Sequence, residues 1–217
     1  MFALVYDPSL ALGELAGLRR QRRRLLASAR GRVLELGAGT GLNLRYYPDG
    51  LEALTLVEPD AAMRRRLVRR VRGSGRAAHI VEASAERLPL ADGSVDTIVA
   101  TLVLCTVDDP QRVLDEIARV LRPHGELLFI EHVRAQSSRL ARWQDRLHRP
   151  WRRFACGCRC NRATVELMRA SGFEVDVAQA TWWAMPPIVR PLAIGHARPR
   201  RQDDPNARAA TSAADHS

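Results

Sequence analysis

The sequence has no lysine: all 34 of its basic residues are arginines, set against 24 acids for a formal charge of +10. The bias matches an arginine- and alanine-rich genome as well as it matches a binding adaptation, so net charge alone names no partner. Cysteine is scarce, with four in 217 residues and three of them crowded at Cys156, Cys158 and Cys160. That excludes a secreted disulfide framework and leads us to expect reduced thiols. No charge-free stretch approaches the roughly 20 apolar residues of a membrane-spanning helix. Met1 to Leu12 has no basic cluster ahead of an apolar run and no small-residue cleavage site. A secretory signal is therefore not visible, and a cytoplasmic location is the expectation. There is also no internal repeat, which argues against a solenoid.

What is present is apolar material in short, nearly continuous runs. Val33–Leu36, Ala53–Val57, Ala78–Val81, Thr97–Val103 and Glu126–Ile130 read as five buried strands, with Phe173–Ala180 and Val189–Ala197 as two more. Helical spacing fills the gaps. Asp60 suits an N-cap for a helix through Met63, Leu67 and Val71, and Pro110 opens another through Leu114, Ile117 and Leu121, stopped by Pro123 and Gly125. A third pattern, with Val165, Leu167 and Met168, ends at Gly172. Strands alternating with helices indicate an α/β fold with a mostly parallel sheet covered on both faces.

The chain divides into three parts. Residues 1–30 form an N-terminal lid or packing helix, with Leu15, Leu18, Leu25 and Leu26 on one side and five arginines between Arg19 and Arg24. Residues 31–197 make one domain. From 198 to 217 no apolar residue larger than alanine occurs, and a disordered tail is expected.

The most informative stretch is Val33-Leu34-Glu35-Leu36-Gly37-Ala38-Gly39-Thr40-Gly41, a buried strand running into three alternating glycines. Missing Cβ atoms let a ligand lie against the main chain, and strand carboxyl ends are where ligands sit in open parallel sheets. The sixth position is Leu42 rather than the glycine of G-x-G-x-x-G, which weighs against a pyrophosphate cradle. Glu58 follows Gly39 by 19 residues, at the end of the second strand. That is the separation at which an acid accepts hydrogen bonds from ribose hydroxyls.

From Arg32 to Ile130 these motifs resemble the class I S-adenosylmethionine-dependent methyltransferases. The resemblance implies a doubly wound, mostly parallel, seven-stranded Rossmann-like sheet whose last strand is antiparallel, and S-adenosylmethionine as cofactor. Glu35, Gly37, Ala38 and Gly39 would then lie against the methionine part of the cofactor, with Glu58 and Pro59 at the ribose. Ser84, Ala85 and Glu86 would flank adenine, with Ser84 where many members carry aspartate, and Thr101 and Leu102 would face the cofactor. The helix end and turn from Arg119 to Gly125 also matches, with His124 in place of a more frequent glycine.

A narrower resemblance covers most of the chain. Thr101 to Val107, Glu131-His132-Val133, Trp143-Gln144, Gly157-Cys158, Asn161-Arg162, Val189-Arg190-Pro191 and Ile194-Gly195 are similar to the thiol S-methyltransferase branch and its bacterial relatives. This implies transfer of a methyl group to a small, apolar acceptor, a thiol being one option. His132, at the end of the fifth strand, becomes the candidate base or thiolate partner, and Trp143 and Cys158 the candidate pocket residues. Quinone, lipid and nucleic-acid acceptors share this core, as would a noncatalytic cofactor-binding module, although an intact glycine loop with Glu58 argues against the last.

No metal is expected, because C-x-C-x-C lacks the C-x2-C spacing and histidine partners of a zinc site. From Arg134 to Arg162 nine arginines face a single acid, Asp145. No nucleic-acid motif accompanies them, so a solvated arginine face is the expectation, with neither nucleic-acid nor peripheral membrane contact indicated.

Overall fold

Strand burial alternates between two hydrophobic layers, and this fixes the architecture. On β1 (Arg32–Leu36), Val33 enters one layer and Leu34 and Leu36 the other, as the two-residue period of a strand requires. The computed structural model describes residues 14–155 and 157–200. Residues 201–217 of the tail expected over 198–217, the reading of Met1 to Leu12 and the thiol of Cys156 lie outside the described residues.

A short helical turn, Glu14–Leu18, leads into α1 (Arg19–Leu26), which precedes β1. Then follow β2 (Ala53–Val57), α2 (Ala61–Ser74), β3 (His79–Val81), β4 (Val95–Thr101), α3 (Pro110–Val120) and β5 (Leu121–His132). The chain continues through α4 (Ser138–Phe154), α5 (Thr164–Ala170), β6 (Phe173–Thr181) and β7 (Pro191–Pro199). The seven strands form one sheet in the order β3-β2-β1-β4-β5-β7-β6. All neighbours pair in parallel except β7, which is antiparallel to both β5 and β6. The seven-stranded, Rossmann-like α/β fold expected from the sequence is the one observed.

One layer joins Leu36, Ile98, Ala100, Leu127 and Phe129 to Val113, Leu114 and Ile117 of α3 and to Val165 and Met168 of α5. The other joins Val33, Leu56, Val99, Leu128 and Ile130 to Leu67 of α2 and to Leu25 and Leu26 of α1. An eight-residue helix is marginal alone. Burying Leu18, Leu25 and Leu26 at about 1.5–3 kcal/mol each is what holds α1 on the sheet.

Helix boundaries follow their caps. The Asp60 carboxylate accepts from the Met63 N–H at 2.7 Å and opens α2, and Asp109 does the same for Arg112 ahead of Pro110 in α3. Helix α3 ends at Val120 rather than running through Leu121, which is already extended and pairs with Val95. Pro123 explains the early exit, since it bars helical backbone at the residue before it. Strand β7 continues to Pro199, past the boundary at 197 drawn from composition. The 17-residue α4 is absent from the predicted elements, because its apolar stripe is thin and arginines dominate it. Among the described residues no helix is long and apolar enough to cross a membrane.

Candidate functional site

The chain leaves β1 for β2 and β3 on one side and returns to β4 on the other. A crevice therefore opens at the carboxyl ends of β1 and β4, where the winding reverses. The loop Gly37–Gly41 sits there. Gly39 has φ +58°, and a Cβ added to it would stand in open space, with nothing nearer than the Gly37 carbonyl at 3.9 Å. Glycine at this point is demanded by the left-handed turn, and it leaves bare main chain facing the crevice.

Glu58 comes to the same place from the end of β2. Its Oε2 accepts from the Gly39 N–H at 2.7 Å and its Oε1 from the Asp60 N–H at 2.9 Å, while the residue is only 6% exposed. Burial pushes its pKa up, and the two backbone donors work against that rise. One carboxylate thus ties the first glycine loop to the start of α2. The next stretch along the sheet edge is Ser84–Glu86, beyond β3, where Ser84 donates to the Glu86 carboxylate and Ala85 is buried. Pro59 is exposed beside Glu58.

A small cavity of about 20 Å³ opens against the loop and brings together Glu35, Gly37, Ala38, Gly39 and Thr101 of the predicted residues. Glu35 is buried beneath it, accepting from the Tyr47 hydroxyl at 2.8 Å and the Asn43 amide at 2.9 Å. Burial lifts its pKa to about 7 despite these donors. The same Asn43 amide donates to Thr101 at 3.1 Å, joining the ends of β1 and β4. Leu102, next in line, holds φ +60°, a strained backbone for leucine of the sort that gathers at functional sites.

The raised pKa of Glu35 sets a stability slope. In the folded chain Glu35 keeps its proton up to about pH 7, whereas an unfolded glutamate loses it near 4.5, so stability falls as pH rises between these values. Each such group contributes about 1 kcal/mol per pH unit. Urea melts of Glu35→Gln across pH 5–7 should show a slope flatter by that amount; a slope equal to the parent's would refute the assignment.

The sequence reading missed three contributors. Arg22 of α1 is buried at 4% exposure, lines the cavity, donates to the Asn43 side-chain Oδ1 at 2.7 Å and pairs with Glu14 at 2.9 Å. Five neighbouring arginines gave no sign of which one turns inward. Asn43 and Tyr47 follow Glu35 by 8 and 12 residues, just past the glycine loop, where polar side chains among leucines were the available signal.

A second region lies beyond Leu102. Glu131, at the end of β5 and wholly buried, accepts the backbone N–H groups of Val103, Leu104 and Cys105 at 2.8, 2.8 and 3.0 Å. Cys105, Cys158, Cys160, Ile188 and Val189 form a small apolar cluster, with Leu102, Trp151 and Met185 packed on it. The free thiols of Cys105 and Cys158 share a hydrogen bond, which raises the Cys105 pKa and lowers that of Cys158. Gly157 makes this approach feasible: at φ +90°, a Cβ there would lie 3.1 Å from the Thr106 carbonyl. Among the described residues no group of histidine, cysteine and acid side chains is arranged to hold a metal ion.

His132 ends β5, buried and stacked on Trp182 with ring centroids 5.9 Å apart. Burial lowers its pKa to about 4, so the imidazole is neutral, and its Nδ1 has no hydrogen-bond partner among the described residues. Trp143, expected in the pocket wall, is instead half exposed on the outer face of α4. The helical phase gives the inward place to Trp151, eight residues on, which packs on the cysteine cluster.

The residues suit a nucleoside bearing an amino acid. They offer a carboxylate at the end of β2, bare main chain at Gly39, and a cavity holding both an acid of near-neutral pKa and a guanidinium. A family model described as "Methyltransferase domain" matches residues 34–129. The chain is 37% identical to the rat thiol S-methyltransferase TMT1B over 161 residues, covering 72% of this chain and 64% of that protein. It is 34% identical to human TMT1B over 174 residues, covering 78% and 69% respectively. The chain thus spans about two thirds of the length of these relatives. Among solved structures, a SAM-dependent methyltransferase from Thermotoga maritima, described as a possible histamine N-methyltransferase, superposes with a TM-score of 0.66 at 23% identity, covering 90% of this chain and 94% of that one.

Proposed function

The chain belongs to the S-adenosylmethionine-dependent methyltransferases, and on that premise we propose that it methylates a small, apolar acceptor, foremost a thiol. The observation that carries this reading is the meeting of Glu58 and Gly39, a carboxylate and bare main chain at the ends of two adjacent strands. Glu58 would hold the ribose, Ser84–Glu86 the adenine, and Gly37–Gly39 the methionine part. Glu35 would face the amino group of that part and Arg22 its carboxylate. Bound there, S-adenosylmethionine supplies a methyl group already activated by its sulfonium. The apolar cluster of Cys105, Cys158, Ile188 and Val189, beside Leu102, supports an apolar acceptor.

The chain's own work is then positioning and the exclusion of water, effects able to contribute roughly 7–11 kcal/mol. Proton removal is the remaining task. His132, neutral through burial and with Nδ1 unpartnered among the described residues, accepts a hydrogen bond from the acceptor at that atom and, with a pKa near 4, guides the proton toward water rather than keeping it. A thiol of ordinary pKa near 8.5 is about 3% ionised at pH 7, so this help is worth at most about 30-fold. His132→Ala should therefore slow methyl transfer by about tenfold at pH 7 and hardly at all at pH 9. Equal rates for variant and parent at both pH values would remove the role.

The acceptor is tested with labelled cofactor offered to alkyl thiols, phenols, quinones, lipid extracts and RNA. Label entering the alkyl thiols is the expected result. Label confined to another class would transfer the assignment to that class, and cofactor binding without label in any would leave a noncatalytic binding module.

A further inference from the structure

Three large apolar side chains stand out on the described surface: Trp143 at 50% exposure, Phe154 at 79% and Trp183 at 71%. Two of them share one helix. Trp143 and Phe154 are on α4, and Trp183 precedes Ile188, whose carbonyl accepts from α4 through Gln144 at 2.9 Å. The same helix carries Arg139, Arg142, Arg146, Arg149 and Arg153, all exposed. None of the five has an acidic partner among the described residues. At 3.6 residues per turn, their three- and four-residue spacing gathers them within about 80° of arc. Trp143 and Phe154, 11 residues apart, fall along one border of that stripe, about 16 Å from each other along the axis.

A solvated arginine face accounts for the charge but not for the aromatics, which water disfavours. A nucleic-acid site would set the aromatics as stacking platforms in a basic groove, whereas here they edge a convex helix. We propose that this face of α4 docks on a lipid bilayer containing anionic lipids, with the arginines at the phosphates and Trp143 and Phe154 inserted at the level of the headgroups. Guanidinium groups match phosphate oxygens bidentately, and indole rings favour the interface, where one side is apolar and the other wet. Docking would turn the α4-covered side of the cysteine cluster toward the membrane. The inference stands independently of the acceptor assigned above.

The test is flotation of the full chain with vesicles of phosphatidylcholine containing about 30% phosphatidylglycerol, against pure phosphatidylcholine, at about 150 mM salt, where exposed charges are screened beyond a Debye length. Binding to the anionic vesicles alone is expected, with fluorescence quenched by brominated acyl chains. Each arginine near an anionic surface is worth about fivefold in partitioning, so Arg142→Glu with Arg146→Glu should weaken binding at least about 20-fold. Trp143→Ala with Phe154→Ala should abolish the quenching. Circular dichroism confirms that each variant is folded. Equal binding to neutral vesicles, unchanged binding by either folded variant, or displacement from the anionic vesicles by RNA acting on the same residues would each overturn the proposal.

Discussion

Replacing Glu131 with alanine lowers the stability of the chain by more than about 3 kcal/mol, since three buried backbone N–H groups lose their acceptor at about 1–3 kcal/mol each. A domain of ordinary stability holds only about 5–15 kcal/mol in all. At about 2–4 °C per kcal/mol for a chain of this size, the melting temperature should drop by roughly 6–12 °C or more. Glu131→Gln, which keeps one acceptor oxygen but turns an amide toward the remaining donors, should fall between parent and alanine. Thermal melts of the three proteins decide the matter, and an alanine variant as stable as the parent would show that water replaces the carboxylate at no cost. The segment affected, Val103–Cys105, directly follows the strained Leu102, so any surviving fold should also lose methyl-transfer activity.

Glu58→Ala should cost the enzyme its donor. One hydrogen bond to a charged group is worth about 1.5–3 kcal/mol, a 10- to 150-fold change in affinity, and a carboxylate that accepts from two ribose hydroxyls exceeds a hundredfold. The Gly39 and Asp60 N–H groups also lose their acceptor, which loosens the loop against α2. Isothermal calorimetry with S-adenosylmethionine reads the effect, and equal affinity for variant and parent would falsify the ribose assignment. Stability should change far less than for Glu131, because Asp60 and Gly39 lie where water can reach them once the side chain is gone.

The glycine-loop half of the candidate site was legible in the sequence because its geometry is local. Glycines at 37, 39 and 41 directly after a buried strand, and an acid at the end of the next strand, stand at spacings that a parallel βαβ unit imposes. The seven strands could be read for the same reason, each being a short apolar run bounded by turn residues. Arg22 was not readable, since its role depends on which face of α1 meets the sheet. That is settled by Leu18, Leu25 and Leu26 burying together, a tertiary fact. Trp143 and Trp151 show the same limit. Both are tryptophans of one helix, and only its docking angle sends one inward and the other to solvent. The pairing of Cys105 with Cys158 spans 53 positions and is created by a close approach at Gly157 that no local pattern announces.

Strand β7 occupies an interior slot, between β5 and β6, although it is the last strand in the chain order. During synthesis β5 must therefore wait with one edge unpaired from Leu127 to His132 until the segment beginning at Pro191 has left the ribosome. A nascent chain halted near residue 180 would present that apolar edge to its neighbours, an invitation to intermolecular strand pairing. The closing step is insertion rather than addition, and it seals His132 and Glu131 into the sheet at the same moment that it completes the ladder.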